Sequence, residues 1–182
     1  MSRKQIWIAS WLALWLGLAP TCPTAQAEPA DKDAPPIYDT AADGQKQIAA
    51  ALRDAQKAGQ RVLVVFGANW CGWCHKLHKL FADDKDVAAA LKAGYVVVWI
   101  DVDQVDGQPH NAALVELYGK PTQFGLPAIV VLDSLGMQLA TEDTNKLEDG
   151  KQHDPRKVLA MLEKWKPHKQ AARSSERGAR NK

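Results

Sequence analysis

The segment Asn69-Trp70-Cys71-Gly72-Trp73-Cys74-His75 places two cysteines, two indoles and an imidazole within seven residues. Two residues separate Cys71 from Cys74, so one helical turn brings their sulfurs together. The apolar, β-branched run Arg61–Phe66 precedes the pair, and a helix follows from about Gly72. The pair therefore falls where a buried strand turns into a helix. Unpaired N–H groups and the dipole at a helix N-terminus favour a thiolate there. This predicts Cys71 at the helix end with its sulfur at the surface, and Cys74 one turn in, beneath it. The chemistry is thiol–disulfide exchange. Cys71 attacks a partner disulfide to form a mixed disulfide, and Cys74 then attacks Cys71 and releases the reduced partner.

The same residues admit rival chemistry. Cys71-Gly72-Trp73-Cys74-His75 is also the C-x-x-C-H pattern of c-type haem attachment. Such haem proteins wrap helices around the ring and need a distal Met or His, whereas this chain offers two β-branched strands and a third led by proline. Cys71, Cys74, His75 and His78 could be read as zinc ligands, but the two histidines share a face with Cys71 only loosely, which makes tetrahedral closure awkward. The two thiolates also suit copper. A disulfide can be an inert staple, yet one closing so short a loop removes little chain entropy. A non-catalytic, redox-sensitive interaction protein is the remaining alternative.

The surrounding elements must position the pair. Ile48, Ala51, Leu52 and Ala55 recur at helical spacing until Gly59. After the Cys-containing helix, with Leu77, Leu80 and Phe81 on one face, Asp83, Asp84 and Asp86 interrupt the pattern. One of them caps a second short helix carrying Val87, Ala88 and Leu91 and closed by Gly94. Tyr95–Ile100 reads as a second buried strand. Pro109 suits the first turn of a helix with Ala113, Leu114, Leu117 and Tyr118, ended by Gly119. Pro127–Leu132 and Met137–Thr141 flank the hairpin turn Asp133-Ser134-Leu135-Gly136. Asp154 caps and Pro155 opens a last helix with Val158, Leu159, Leu162 and Trp165 on its apolar face. The order α-β-α-β-α-β-β-α means an α/β fold, a central mixed sheet with helices on both faces. Trp99 and Trp165 read as core. His110, His153 and His168 read as partnerless surface residues, and Asp101 and Asp103 as solvated acids after a strand.

Val62–Cys74, VLVVFGANWCGWC, resembles the active-site strand and turn of the thioredoxin family. The element order extends the resemblance over about residues 38–166. Gly125-Leu126-Pro127 opens an apolar strand at the place where that family carries a cis-proline facing the active site, and X-Pro bonds adopt cis at modest cost. The resemblance implies a thioredoxin fold, with Cys71 as nucleophile and Cys74 as resolving thiol. It also implies that Leu126 and Pro127 shape a substrate groove. Trp70 and Trp73 either border that groove or, for Trp70, pack half-buried. The Trp before the second Cys and the broken active-site helix are most similar to exported bacterial members. Three positions depart from the pattern. Val65 stands where thioredoxins carry a buried Asp, which removes the usual proton acceptor for Cys74; Gly72-Trp73 replaces Gly-Pro; His75 replaces a Lys.

Residues 1–27 read as a secretory signal. Arg3 and Lys4 precede the 14-residue apolar run Ile6–Ala19, and Ala25-Gln26-Ala27 offers a cleavage site. The run is shorter than the ~20 residues that span a bilayer. The stripe Trp7, Trp11, Trp15 keeps open an uncleaved membrane anchor, and Cys22 lacks the context of a lipid-attachment site. Removal of 1–27 leaves 21 basic and 21 acidic residues, with Cys71 and Cys74 the only cysteines, in a compartment where disulfides persist. Residues 28–37 read as a linker, 38–166 as one domain and 167–182 as a basic solvated tail. Near-neutral charge argues against nucleic acid as partner. The expected protein is a periplasmic monomer that exchanges disulfides with exported proteins. It needs no cofactor, since the cysteines carry the electrons. If it works as a reductant, the resemblance also implies a membrane protein that resupplies electrons.

Overall fold

The computed structural model describes residues 35–167. Residues 1–34 and 168–182, which hold the expected signal segment with Cys22, most of the expected linker, His168 and all of the expected basic tail but Pro167, lie outside the described residues. Helix α1 (Gly44–Ala58) leads into strand β1 (Arg61–Gly67), followed by α2 (Gly72–Asp83), α3 (Lys85–Gly94) and β2 (Tyr95–Asp101). A small ribbon, β3 (Gln104–Val105) and β4 (Gln108–Pro109), precedes α4 (Ala112–Leu117). The chain closes with β5 (Ala128–Leu132), β6 (Gln138–Glu142) and α5 (Pro155–Lys164).

Four strands form one sheet in the order β2-β1-β5-β6. β1 runs parallel to β2, whereas β5 is antiparallel to both β1 and β6. The sheet is therefore mixed, as the closing hairpin requires. Side chains alternate across a strand, and β1 uses both faces. Val62, Val64 and Phe66 pack with Ile48, Ala51 and Ala55 of α1 and Leu114 of α4. Leu63 and Val65 pack with Leu77 and Phe81 of α2, Val87 and Leu91 of α3, and Val158, Met161 and Leu162 of α5. Central placement explains the unbroken apolar runs Val62–Phe66 of β1 and Ala128–Leu132 of β5.

The break in the active-site helix has one cause. Asp84 ends α2 and starts α3, its extended backbone (φ −79°, ψ 118°) halting the first helix while its carboxylate accepts from the N–H groups of Asp86 and Val87 at 3.1 and 3.0 Å. Asp43 and Asp154 cap α1 and α5 in the same way.

Several expectations need correction. Pro109 lies in β4, not in a helix. Asp106 and Gly107 both have positive φ (51° and 75°), forming the tight turn that Asp-Gly favours, so the chain turns back before α4 begins after Asn111. The ribbon is two residues wide, and an edge position tolerates proline's missing donor. β2 is not buried on both faces: it is the sheet edge, and Val96, Val97 and Trp99 are half-buried. Trp99 and Trp165 pack against the core rather than inside it, and the Trp165 indole N–H donates to Glu142.

The cap gives a first prediction. Asp84→Ala leaves the Asp86 and Val87 N–H groups without their acceptor and should cost about 1 kcal/mol of stability, read as a lower urea midpoint at unchanged slope; an unchanged midpoint contradicts the capping role.

Candidate active site

β1 ends at Gly67, and Ala68–Trp70 turn the chain into α2. The Cys71 N–H donates to the Ala68 carbonyl at 3.0 Å. Cys71 is the N-cap residue of α2, with extended backbone (φ −80°, ψ 105°), and its sulfur accepts the Cys74 N–H at 3.2 Å. The outer sulfur thus occupies the place where an N-cap oxygen normally sits, at the positive end of the helix. Cys71 and Cys74 are joined by a disulfide, with Cα atoms 5.2 Å apart.

The pair is more enclosed than expected. Cys74 is fully buried, and Cys71, placed at the surface by the sequence reading, is only 5% exposed. Tyr38 completes a small cluster with the two cysteines, and Ile37, Trp73, Trp99 and Leu126 pack around it. The segment before α1 is what closes the site. Asn69 accepts the N–H groups of Ile37 and Tyr38 on its Oδ1 and donates its Nδ2 to the Tyr38 carbonyl, all at 2.9 Å. One side chain thereby straps residues 37–38 across the turn that carries Cys71.

The remaining sequence-selected residues fall as follows. Trp70 is 61% exposed, and its indole N–H donates to Asp103 at 2.8 Å, so it is held flat at the surface and not half-buried. Trp73 meets the His153 ring edge-on, with centroids 5.3 Å apart. The Leu126–Pro127 peptide is cis, Pro127 is buried, and its carbonyl accepts from Thr144. The His75 ring engages the Asn69 carbonyl at 2.7 Å, whereas His78 is exposed and lies against Trp99. Those two imidazoles do not converge on the sulfurs, and among the described residues no three His, Cys, Asp or Glu side chains gather into a metal cage.

Two histidines and an acid expected in solvent are not there. His110 pairs with Asp101 (Nδ1 to Oδ2, 2.9 Å), and Asp101 is 1% exposed. His153 is equally buried, with Nε2 3.3 Å from the Trp73 carbonyl. The burial of His153 and the roles of Tyr38 and Asn69 escape the sequence reading because their partners are remote: 31 residues separate Asn69 from Tyr38, and 80 separate His153 from Trp73. Only the Asp-Gly turn, which folds His110 back over the end of β2, left a local signal.

Comparison with known proteins follows this geometry. The profile of the thioredoxin-like family matches residues 43–134. The crystal structure of a disulphide isomerase from Xylella fastidiosa Temecula1 aligns with a TM-score of 0.61 and 33% identity, over 70% of this chain and 95% of that one. The thiol:disulfide interchange protein DsbD of Ralstonia nicotianae is 34% identical over 92 residues, which are 50% of this chain but only 14% of that protein. Among the described residues, no helix is long and apolar enough to cross a membrane.

Burial holds the His153 pKa below the ordinary imidazole value, outweighing the opposing hydrogen bond to Trp73. A group that is harder to protonate folded than unfolded takes up more protons on unfolding. Its stabilising effect is therefore complete above the unfolded value of about 6.5 and is lost as pH falls below it. His153→Gln should flatten the decline in urea midpoint between pH 7 and pH 5; an equal decline in both proteins contradicts this source.

Proposed function

The chain belongs to the thioredoxin-like family, and from that premise we propose that it is a thiol–disulfide oxidoreductase acting on exported proteins through Cys71 and Cys74. The observation that carries the reading is the Cys71–Cys74 disulfide at the first turn of α2, its outer sulfur already accepting a helix N–H. The Xylella disulphide isomerase and the Ralstonia interchange protein point the same way by their names.

In the reducing direction, the Cys71 thiolate attacks one sulfur of a partner disulfide. A mixed disulfide forms and the partner's other sulfur leaves as a thiolate, which takes a proton. Cys74 gives up its proton and attacks the Cys71 sulfur, which re-forms the Cys71–Cys74 bond and frees the second partner thiol. Two electrons pass from the dithiol to the partner. The oxidising direction runs these steps backwards, and the potential of the pair selects between them. Family members span roughly −270 to −120 mV.

Pro127 and Leu126 border the groove beside Cys71, where an extended partner segment lies, with Trp70 and Trp73 at its rim. The limited exposure of Cys71 means that the partner enters along this apolar border. Residues 1–27 would act as a cleaved export signal that sends the 38–166 domain to the periplasm. If the pair works there as a reductant, a membrane electron-transfer protein would resupply its electrons.

Cys74→Ser removes the resolving thiol. The variant should accumulate dithiothreitol-sensitive adducts with exported proteins, all on Cys71, while Cys71→Ser collects none. The unaltered protein should speed insulin reduction at least tenfold over dithiothreitol alone. No adducts on Cys74→Ser and no acceleration of insulin reduction or oxidative refolding would falsify the reading.

A further inference from the structure

Two buried polar atoms, the Tyr38 hydroxyl and Asp101 Oδ1, have no hydrogen-bond partner in the oxidised protein, and so none in each other. Such atoms are costly to bury and are therefore informative. Their positions are linked through Gly67. A Cβ added there would overlap the Tyr38 hydroxyl and come within 2.7 Å of the Cys74 sulfur, so the phenol oxygen and the inner sulfur share the space of one methyl group. Gly67 is in turn the register partner of Asp101 on the parallel strand β2. Paired residues on neighbouring strands project to the same face, with strands about 4.8 Å apart. The Asp101 carboxylate therefore lies on the face of the sheet that carries Tyr38 and Cys74. His110 occupies Oδ2, and the Asn111 side chain holds the Asp101 carbonyl at 2.9 Å, which fixes the acid and leaves Oδ1 open.

We propose that Tyr38 and Asp101 form a buried proton path for Cys74, the proton acceptor that the residue at position 65, a valine, cannot be. The assignment rests on the exchange reading above. As Cys74 attacks the mixed disulfide, the path closes through hydrogen bonds absent from the oxidised protein: the Cys74 proton passes to the Tyr38 oxygen while the Tyr38 proton passes to Asp101 Oδ1. Tyr38 ends as it began, the carboxylate becomes a carboxylic acid, and the sulfur electron pair forms the bond to Cys71 as the partner thiolate leaves. No other reactant is needed. The reverse sequence reprotonates Cys74 when the disulfide is opened.

The groups around this path are few. α2 contributes His75, engaged with the Asn69 carbonyl, and His78, exposed against Trp99. β1 contributes none. β2 and the loop after it contribute Asp101 and Asp103, the latter accepting from Trp70, and His110 stands on the far side of Asp101. Burial first, and then the nearby Asp101 charge, hold Tyr38 far above the ordinary phenol range. Tyr38 thus stays protonated at neutral pH and acts by relay, giving up one proton as it gains another. Its own lasting ionisation plays no part.

One equivalent of dithiobis(nitrobenzoate) separates the two steps in the full chain. The reduced protein releases a first thionitrobenzoate as Cys71 attacks and a second as Cys74 resolves. Tyr38→Phe should leave the first rate within twofold and slow the second at least tenfold at pH 7. The second rate should then climb with pH towards the ordinary thiol value of about 8.5. Asp101→Asn should slow the second step alike, and the double variant should be no slower than the slower single one. A resolving rate and pH profile unchanged in Tyr38→Phe overturns the path, even if Asp101→Asn does not fold. A slow Tyr38→Phe beside a normal Asp101→Asn overturns the carboxylate's part. Absence of the first release from the unaltered protein overturns the exchange reading itself.

Discussion

A three-residue spacing at the start of a helix does two things to a pair of cysteines. It lets their sulfurs bond, and it places them in unequal surroundings. Cys71 caps α2 and accepts a backbone N–H, whereas Cys74, one turn further in, is sealed beneath it. The outer sulfur sits at the positive end of the helix, a place that favours negative charge, and the inner one has no contact with water. The rest of the domain keeps this inequality in place. Central strand β1 fixes the start of the turn, Asp84 limits the active-site helix to three turns, and Asn69 straps residues 37–38 over the cysteines.

Enclosure has a chemical consequence. An apolar surround of Ile37, Trp73, Trp99 and Leu126 narrows the approach to the disulfide. It also isolates the proton of the inner thiol. In the proposed exchange the buried thiol needs an acceptor buried with it, and the one proposed is the phenol from the segment before α1 with the carboxylate from the end of β2. Both carry orphaned atoms beside the site, as residues held for reaction rather than for stability would.

Much of this was legible in the sequence because it was written locally. The strand composition of Val62–Phe66, the Cys spacing, the triple acid at Asp83–Asp86, the Asp154-Pro155 start of α5 and the Gly125-Leu126-Pro127 entry to β5 each encode their own structure within a few residues. Three things were not local. The edge position of β2 depends on which strands pair, so its apolar run resembled that of a central strand. The burial of Asp101 and His153 depends on partners brought by other elements. Tyr38 lies in a stretch with no period at all, and its tie to Asn69 and its packing on the two cysteines make it part of the site. Pro109 differs for another reason: the Asp106-Gly107 turn takes precedence over proline's preference for the first turn of a helix.

In the proposed function the Cys71–Cys74 bond is a working redox couple and not a structural tie. Equilibration of the protein in glutathione and dithiothreitol buffers, followed by alkylation and mass measurement, tests this directly. The account predicts one two-electron transition between roughly −270 and −120 mV, with both thiols becoming alkylatable together and the fold retained on either side. A pair that stays oxidised below about −300 mV, the range of structural disulfides, or a domain that unfolds as the bond opens, would contradict it.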